Sequence, residues 1–429
     1  MGKDNVYRIL LVFLLTPFLG LAGWCGWKVY TTAAKRVEIR TDYSNINSIE
    51  YGLLSVDVWK DNIVKIVAEK IDSFKFNPAQ KDTLKKEVNT ILYALVNKAD
   101  RMINEKQSNL GGKIKQLAFH MFVNLDQVKA QVPEYSQTII NEITKPGSKQ
   151  KLKFLANDKL SELASQTRDS LSTDSVQNKL LTKYDTKDVQ AFNVLAGQQS
   201  NNLLQQIYKY SYTLLGILIL FLIIWCFLYR KPSLCKPLFV LSAILAGIAL
   251  IVGISSPMIE IDARIKELNF LILDKYIVFH DQILFYQSKS ILDVVHILIA
   301  TKKVESVLVG ILILIFSVIF PFAKLFSTEV YLLGNQKWKT NRLLKFFAFK
   351  SGKWSMADVM VIAIFMAYVG FKGILDNQLQ SLSMKTDTIS SIATNETSLQ
   401  PGFIIFLAFV LFSLILSLIL GKITEKTAE

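Results

Sequence analysis

Two charged residues beside apolar runs are the first candidates for chemistry in this sequence. Lys324 follows Pro321 before the apolar character of run 306–323 has ended, and Asp358 opens a second run that ends near Phe371. A charge at a membrane helix centre costs roughly 2.5–3.5 kcal/mol on insertion scales, so such charges usually have a function. We therefore expect a polar centre between these two segments. The alternative is that Lys324 snorkels to the membrane surface and Asp358 lies among the lipid headgroups.

Polar residues recur at helical spacing before Lys324. Ser317, Pro321 and Lys324 are separated by four and three residues, which places them on one face of a helix. Proline frees a backbone carbonyl one turn earlier, and Ser317 or a neighbouring helix could satisfy that carbonyl. The spacing therefore predicts that one helix face supplies a serine, a proline and a lysine to the polar centre.

A second set of polar residues surrounds Asp358. Ser355 and Asp358 share a face of their helix, and Trp354 is a further candidate for the lining. Ser413 and Ser417, four residues apart on the last apolar run, are candidates for a third wall. Such a centre could pass ions or could be a static structural pair, and the sequence leaves both alternatives open.

Hydropathy defines the fold class. Hydrophobic residues make up 51% of the chain but cluster in six runs long enough to span a membrane. These runs are 9–27, 210–229, 237–259, 306–323, 354–371 and 397–421. The prediction is a mainly α, six-span integral membrane protein with a large extracytoplasmic helical insert and a small extracytoplasmic β-sheet. Run 9–27 lacks a small-residue cleavage site, so we interpret it as a retained anchor.

The basic residues of the short loops predict the orientation. Segment 230–236 holds three basic residues and no acid, and segment 327–353 holds six against the single Glu329. Lysine and arginine favour the cytoplasmic side, so both loops and both termini are expected there. Segment 31–208 is then extracytoplasmic. The formal net charge of +14 reflects this bias and scattered basic residues, and does not indicate nucleic-acid binding.

The predicted domains follow the spans. They are an N-terminal transmembrane anchor (1–30), an extracytoplasmic helical domain (31–208), a second transmembrane helix (209–230) and a four-helix membrane domain (231–429). Apolar residues at spacings of three and four predict helices in the second domain over 56–74, 84–111, 114–133, 152–171 and 188–208, the last continuing into the second span. His120 is expected to be an ordinary helical residue without a catalytic partner.

The outer loop 259–304 of the membrane domain has a different pattern. Apolar and charged residues alternate over 259–266, and β-rich runs follow over 270–286, which predicts a small antiparallel sheet. Segment 290–303 is predicted to be an interfacial helix with Asp293 in its first turn. The apolar face of the sheet must be covered by lipid, by this helix or by a partner.

Sequence motifs of enzymes and metal sites are absent. Cys25, Cys226 and Cys235 are scattered, whereas a structural zinc site needs four ligands. No nucleotide-binding loop or clustered metal motif occurs in the sequence. We therefore expect no metal, no cofactor and no enzyme activity.

Two of these motifs carry a family resemblance: the string Gly-Lys-Trp-Ser-Met-Ala-Asp-Val over 352–359, and the preceding Ser317, Pro321 and Lys324. Together they resemble the paraquat-inducible protein A (PqiA) family, which includes LetA-type proteins. The resemblance covers about 234–421. It implies a four-helix module in the inner membrane of a bacterium with two membranes, working with MCE proteins that carry lipids between them. Relatives often carry paired Cys-x-x-Cys zinc ribbons, from which this chain departs.

The resemblance favours a lipid transport subunit whose partners are membrane lipids and an extracytoplasmic MCE-type protein. The alternative is an envelope-stress sensor or scaffold without transport activity, in which two spans flank an outer helical domain. Sensors of that plan signal into a cytoplasmic output domain, and the cytoplasmic segments of this sequence are short.

Overall fold

Helices dominate the computed structural model. It describes residues 3–48, 55–73, 81–104, 125–143, 148–167, 173–229, 231–272, 275–334, 338, 341–350, 357–385 and 389–425. The helices are α1 (Lys3–Ile46), α2 (Val56–Ser73), α3 (Lys81–Asn104), α4 (Leu125–Ile143), α5 (Ser148–Thr167), α6 (Thr173–Lys183), α7 (Val189–Leu228), α8 (Pro232–Ser255), α9 (Ile291–Ala300), α10 (Val304–Leu314), α11 (Phe320–Leu333), α12 (Arg342–Lys345), α13 (Ala357–Leu382) and α14 (Pro401–Glu425).

Six spans predicted from hydropathy correspond to helices in the described part of the chain. Helices α1, α7, α8, the continuous α10–α11 pair, α13 and α14 are long and apolar enough to cross a membrane. A π-helical segment, Ile315–Ile319, joins α10 to α11. The chain is therefore a multi-pass helical membrane protein, as the apolar runs predicted.

Two of these helices extend far beyond the thickness of a membrane. Helix α1 has 44 residues and α7 has 40. At 1.5 Å per residue each is about 60 Å long, twice the hydrocarbon thickness. The sequence predicted that α7 runs from the outer segment into its span, but not that α1 continues past residue 30. The long packed pair α1 and α7 therefore joins the candidate membrane spans to the helices of segment 31–208.

Segment 31–208 is mainly helical where the structure describes it, through α2 to α6 and the adjoining parts of α1 and α7. One helix predicted to end near Pro133 continues beyond it: its described part is Leu125–Ile143, with Pro133 in its interior. Packing explains this difference, because α4 lies against both α3 and α5, and Val132 and Ser136 are buried on either side of the proline. Residue His120 falls outside the described residues.

The predicted sheet is present and is larger than expected. Strands β1 (Ile259–Ile272) and β2 (Lys275–Lys289) form the predicted antiparallel hairpin. Three short strands near the end of the chain join it: β3 (Met384–Lys385), β4 (Ile389–Asn395) and β5 (Ser398–Leu399). The order is β2-β1-β4-β3, and β5 also pairs with β1. The sheet therefore connects the loop after α8 to the loop before α14.

Helix α2 covers the apolar face of the sheet. Trp59 is buried, and its ring centroid lies 5.0 Å from that of Phe270 and 5.1 Å from that of Phe279. Ile66, two turns along α2, belongs to the same apolar cluster. The cover is therefore none of the three that the sequence left open, but a helix from segment 31–208 of the same chain.

Packing divides the membrane helices into a tight group and a loose group. In the most apolar stretch of each helix, 67% of the residues are buried in α8 and 50% in α14, against 17% in α10–α11 and 0% in α13. Gly402 allows the ends of α8 and α14 to meet, because a Cβ there would lie 2.4 Å from the carbonyl oxygen of Pro257. Helices α10–α13 therefore leave most of their apolar surface to the surroundings.

Candidate polar centre in the loosely packed membrane helices

The π-helical segment before Pro321 shapes the helix that carries Lys324. The backbone N–H of Phe320 donates to the carbonyl oxygen of Ile315, five residues earlier. A wider turn at this point accommodates the proline, which has no N–H to donate. Single π-helical turns inside α-helices occur frequently at functional sites.

The buried face of this helix carries the residues that the spacing singled out. Ser317 is 2% exposed and Lys324 is 7% exposed, and Pro321 between them is also buried. Among the described side chains, none forms an ion pair within 4.0 Å or a hydrogen bond with the Lys324 ammonium. Within the described residues, a lysine thus lies inside the protein without an ion-pair partner.

Asp358 lies in the first turn of α13, and its side chain is exposed. It is close enough to act electrostatically on Lys324, but the described ion pairs do not include these two residues. The polar centre therefore contains both charges at a distance greater than that of a salt bridge. Their direct pairing stays a prediction.

The other predicted lining residues are only partly described. Trp354 and Ser355 fall outside the described residues. Ser413 is buried and Ser417 is half-buried on α14, which contacts α8 and α13. Within the described ranges, neither serine hydrogen-bonds to Ser317 or Lys324. Their role as a third wall stays a prediction.

Glu329 is a polar residue of this region that sequence reasoning placed in a loop. Helix α11 continues to Leu333, because Ser327, Thr328 and Leu332 remain buried against neighbouring segments. Both carboxylate oxygens of Glu329 are buried and accept no hydrogen bond from the described residues. The helical spacing of those three residues is the sequence signal that could have extended the helix to include Glu329.

A second π-helical segment, Phe346–Lys350, packs against α11 on the side of Phe320. The ring centroids of Phe320 and Phe347 are 5.7 Å apart. Helix α12 also packs against α11, so both elements flank the helix that carries Lys324.

Contacts near the two ends of the chain show which elements lie together at the end of the molecule away from the sheet. Arg8 donates from Nε to the carbonyl oxygen of Ser233 over 2.8 Å, and the Lys422 ammonium lies 5.8 Å from the ring centroid of Tyr229. The beginning of α1, the turn between α7 and α8 and the last turn of α14 therefore meet at one end. The sheet lies at the other.

A different polar cluster lies where α1 meets the sheet. We call it the junction cluster and define it as Arg36 and Arg40 of α1 with Glu260, Asp262 and Arg264 of β1. Arg36 binds Glu260 through two hydrogen bonds of 2.5 and 2.9 Å. Asp262, which is 0% exposed, accepts hydrogen bonds from both Arg40 and Arg264.

Neighbouring groups complete the electrostatics of the junction cluster. Burial by itself lowers the pKa of Arg264, but the hydrogen bond and negative charge of Asp262 outweigh burial and raise it. Burial and the nearby Glu260 carboxylate raise the pKa of Tyr286, whose ring lies 5.2 Å from the Arg40 guanidinium. Each of the three arginines has a carboxylate partner within the junction cluster.

Comparison with known proteins identifies one part of the chain. No curated protein and no solved structure matches it. Residues 277–383 match the model of the paraquat-inducible protein A family, a narrower segment than the resemblance in the sequence suggested. The matched segment runs from β2 to α13 and includes Lys324, Glu329 and Asp358. Over these residues, the chain carries a domain of the paraquat-inducible protein A family.

Proposed function

We propose that the protein is an inner-membrane subunit of a PqiA/LetA-type system that moves lipid between the two membranes of a bacterium. It passes lipid to or from an extracytoplasmic MCE-type protein and is a transport component rather than an enzyme. Segment 31–208 lies outside the cytoplasm and both termini lie inside. The family match over 277–383 and the six apolar helices support this proposal.

The observation that carries the proposal is a buried lysine within helices that the protein itself leaves uncovered. Lys324 is 7% exposed and has no ion-pair partner within 4.0 Å among the described residues. The surrounding α10–α13 expose large apolar side chains, including Leu308, Phe326 and Ile362. In a bilayer, lipid chains cover such a surface, and a cation beside it attracts an anionic headgroup. One amphiphilic molecule would satisfy both features.

Lipid analysis of the purified protein tests this proposal. We expect phospholipid to remain bound in mild detergent and the lipid-to-protein ratio to fall in Lys324→Met. The matched control is Lys303→Met, which removes an exposed lysine just before α10 on the same span. Equal amounts of unselected bulk lipid in all three proteins would contradict a lipid site at Lys324.

The outer helices are the expected contact surface for the partner protein. Helices α2–α6 project from the α1–α7 pair and the sheet, so they can be reached from outside the membrane. Chemical cross-linking in cells, followed by mass spectrometry, should link these helices to an MCE-type protein. Cross-links only to a signalling protein would favour the sensor alternative.

The long helices also give the sensor or scaffold alternative a specific observation. Helix α7 runs without a break from the outer segment through the membrane, which would allow displacement of the outer helices to reach the other side. A sensor of this kind would not need the Lys324 ammonium. Loss of envelope function in Lys324→Met with normal folding therefore separates transport from sensing.

A further inference from the structure

The buried carboxyl group of Glu329 is a feature that lipid transport by Lys324 leaves unexplained. Glu329 lies on α11, five residues after Lys324. Its Oε1 and Oε2 atoms are both buried, and neither accepts a hydrogen bond from the part of the chain that the structure describes. Glutamate is rarely buried in proteins unless a donor or a cation compensates its charge.

No cation compensates this carboxyl group among the described side chains. Helix α11 packs against α8, α12 and the two π-helical segments. The charged side chains described there, Lys231 and Lys236 at the start of α8 with Arg342 and Lys345 on α12, are exposed. None of them, nor Lys324 on the same helix, forms an ion pair with Glu329 within 4.0 Å.

The protonation state follows from this environment. An ionised carboxylate without donors or cations in apolar surroundings is so costly that such a group takes up a proton instead. The protonated group is uncharged and leaves only an ordinary polar group to bury. Within a membrane span, a group of this kind is also placed where proton pathways occur.

We propose that Glu329 is a proton-binding site of the membrane domain, protonated in the described conformation and ionised when its carboxyl group gains access to water. The proposal goes beyond lipid binding, because it concerns a proton and a residue outside the predicted lipid site. Alternating protonation of Glu329 would give the domain a means of using a proton gradient.

A hydrophobic carbodiimide tests this proposal on the unaltered full-length protein. The reagent reacts with a protonated carboxyl group: the proton passes to a carbodiimide nitrogen and the carboxyl oxygen bonds to the central carbon. Rearrangement leaves a stable acylurea that contains the whole reagent, with no leaving group. We treat membranes with dicyclohexylcarbodiimide over a range of pH values and locate the adduct by peptide mass spectrometry.

The expected result is an adduct at Glu329 at neutral pH that decreases as the pH rises. The matched control within the same protein is Glu305, an exposed glutamate in the first turn of α10 on the same span. It should react far less at neutral pH. Reaction of Glu329 and Glu305 to the same extent would overturn the proposal.

Infrared difference spectroscopy provides a second measurement that does not depend on reagent access. The carbonyl stretch of a protonated carboxylic acid should be present in the unaltered protein, lost in Glu329→Gln and retained in Glu305→Gln. Its titration in the unaltered protein should follow the adduct yield, so the test holds even if Glu329→Gln folds poorly. Absence of both the adduct and the carbonyl band would overturn the proposal. Either signal, assigned to Glu329 by mapping or by its loss in Glu329→Gln, supports the site.

Discussion

Two groups of buried ionisable side chains in this protein are built in opposite ways. In the junction cluster, Arg36 binds Glu260 through two hydrogen bonds, and Asp262 accepts from two arginines. In the polar centre, Lys324 and Glu329 are buried without an ion pair among the described residues. The first arrangement fixes a geometry. The second leaves charge to be satisfied by something outside the described structure.

This difference predicts which substitutions should lower the stability of the protein and which should impair its function. Removing one partner of a buried ion pair strands the other charge and is strongly destabilising. Removing a buried charge that has no partner relieves a desolvation cost instead. Substitutions at the junction cluster should therefore unfold the protein, whereas substitutions in the polar centre should impair function in a folded protein.

The largest expected effect is that of Asp262→Asn. This change removes the buried carboxylate that hydrogen-bonds to both Arg40 and Arg264 and should lower the free energy of unfolding by about 3–5 kcal/mol. Thermal unfolding in mild detergent measures the change. The matched control is Glu396→Gln, which removes an exposed carboxylate 3.5 Å from the same Arg264 and should cost about 0–1 kcal/mol. Equal effects of the two variants would show that the junction cluster does not fix this region.

A somewhat smaller effect is expected for Trp59→Ala, which tests the apolar part of the same outer region. Loss of the indole leaves a cavity over Phe270 and Phe279 and should cost about 3 kcal/mol. Hydrogen exchange should accelerate in β1 and β2. Tyr93→Ala on α3 is the control, because its aromatic side chain is exposed. Unchanged exchange in the sheet would mean that α2 is not its cover.

A double-mutant cycle on Lys324 and Asp358 should give a small stability effect and a large functional one. Because no ion pair joins the two residues, Lys324→Met and Asp358→Leu should each change the free energy of unfolding by less than about 1 kcal/mol. Their interaction energy should be below about 0.5 kcal/mol. Complementation of an envelope defect should nevertheless fail in Lys324→Met. A larger interaction energy would show that the pair predicted from the sequence forms directly.

The smallest perturbation tests which side of the membrane each region faces. Ser165→Cys on α5 and Lys345→Cys on α12 change exposed side chains in a background without Cys25, Cys226 and Cys235. A membrane-impermeant thiol reagent should label residue 165 in cells with a permeabilised outer membrane, and residue 345 only after lysis. The reverse pattern would invert the proposed orientation of the junction cluster and the polar centre.

Local sequence patterns predicted the helices and strands better than they predicted the contacts between these elements. The six apolar runs correspond to six spanning helices, and the Ser290–Asp293 capping box forms at the start of α9, where an acidic first turn was expected. Both follow from residues close together in sequence. The short strands β3 to β5 were not predicted, because strands this short acquire their stability from pairing with a distant strand. The length of helix α11 was underestimated for a similar reason, since the burial of its residues beyond Ala323 depends on neighbouring segments.

The sequence by itself determined the membrane class, the six spans and the resemblance to the family, because hydropathy and short motifs act over a few turns of chain. Only the tertiary structure decided that Arg36 pairs with Glu260 across 224 positions, that Trp59 covers the sheet and that Glu329 is buried. These features depend on which distant surfaces meet. Whether a charge is paired or stranded is likewise a property of the packed helices, and it distinguishes the stable junction from the candidate functional centre.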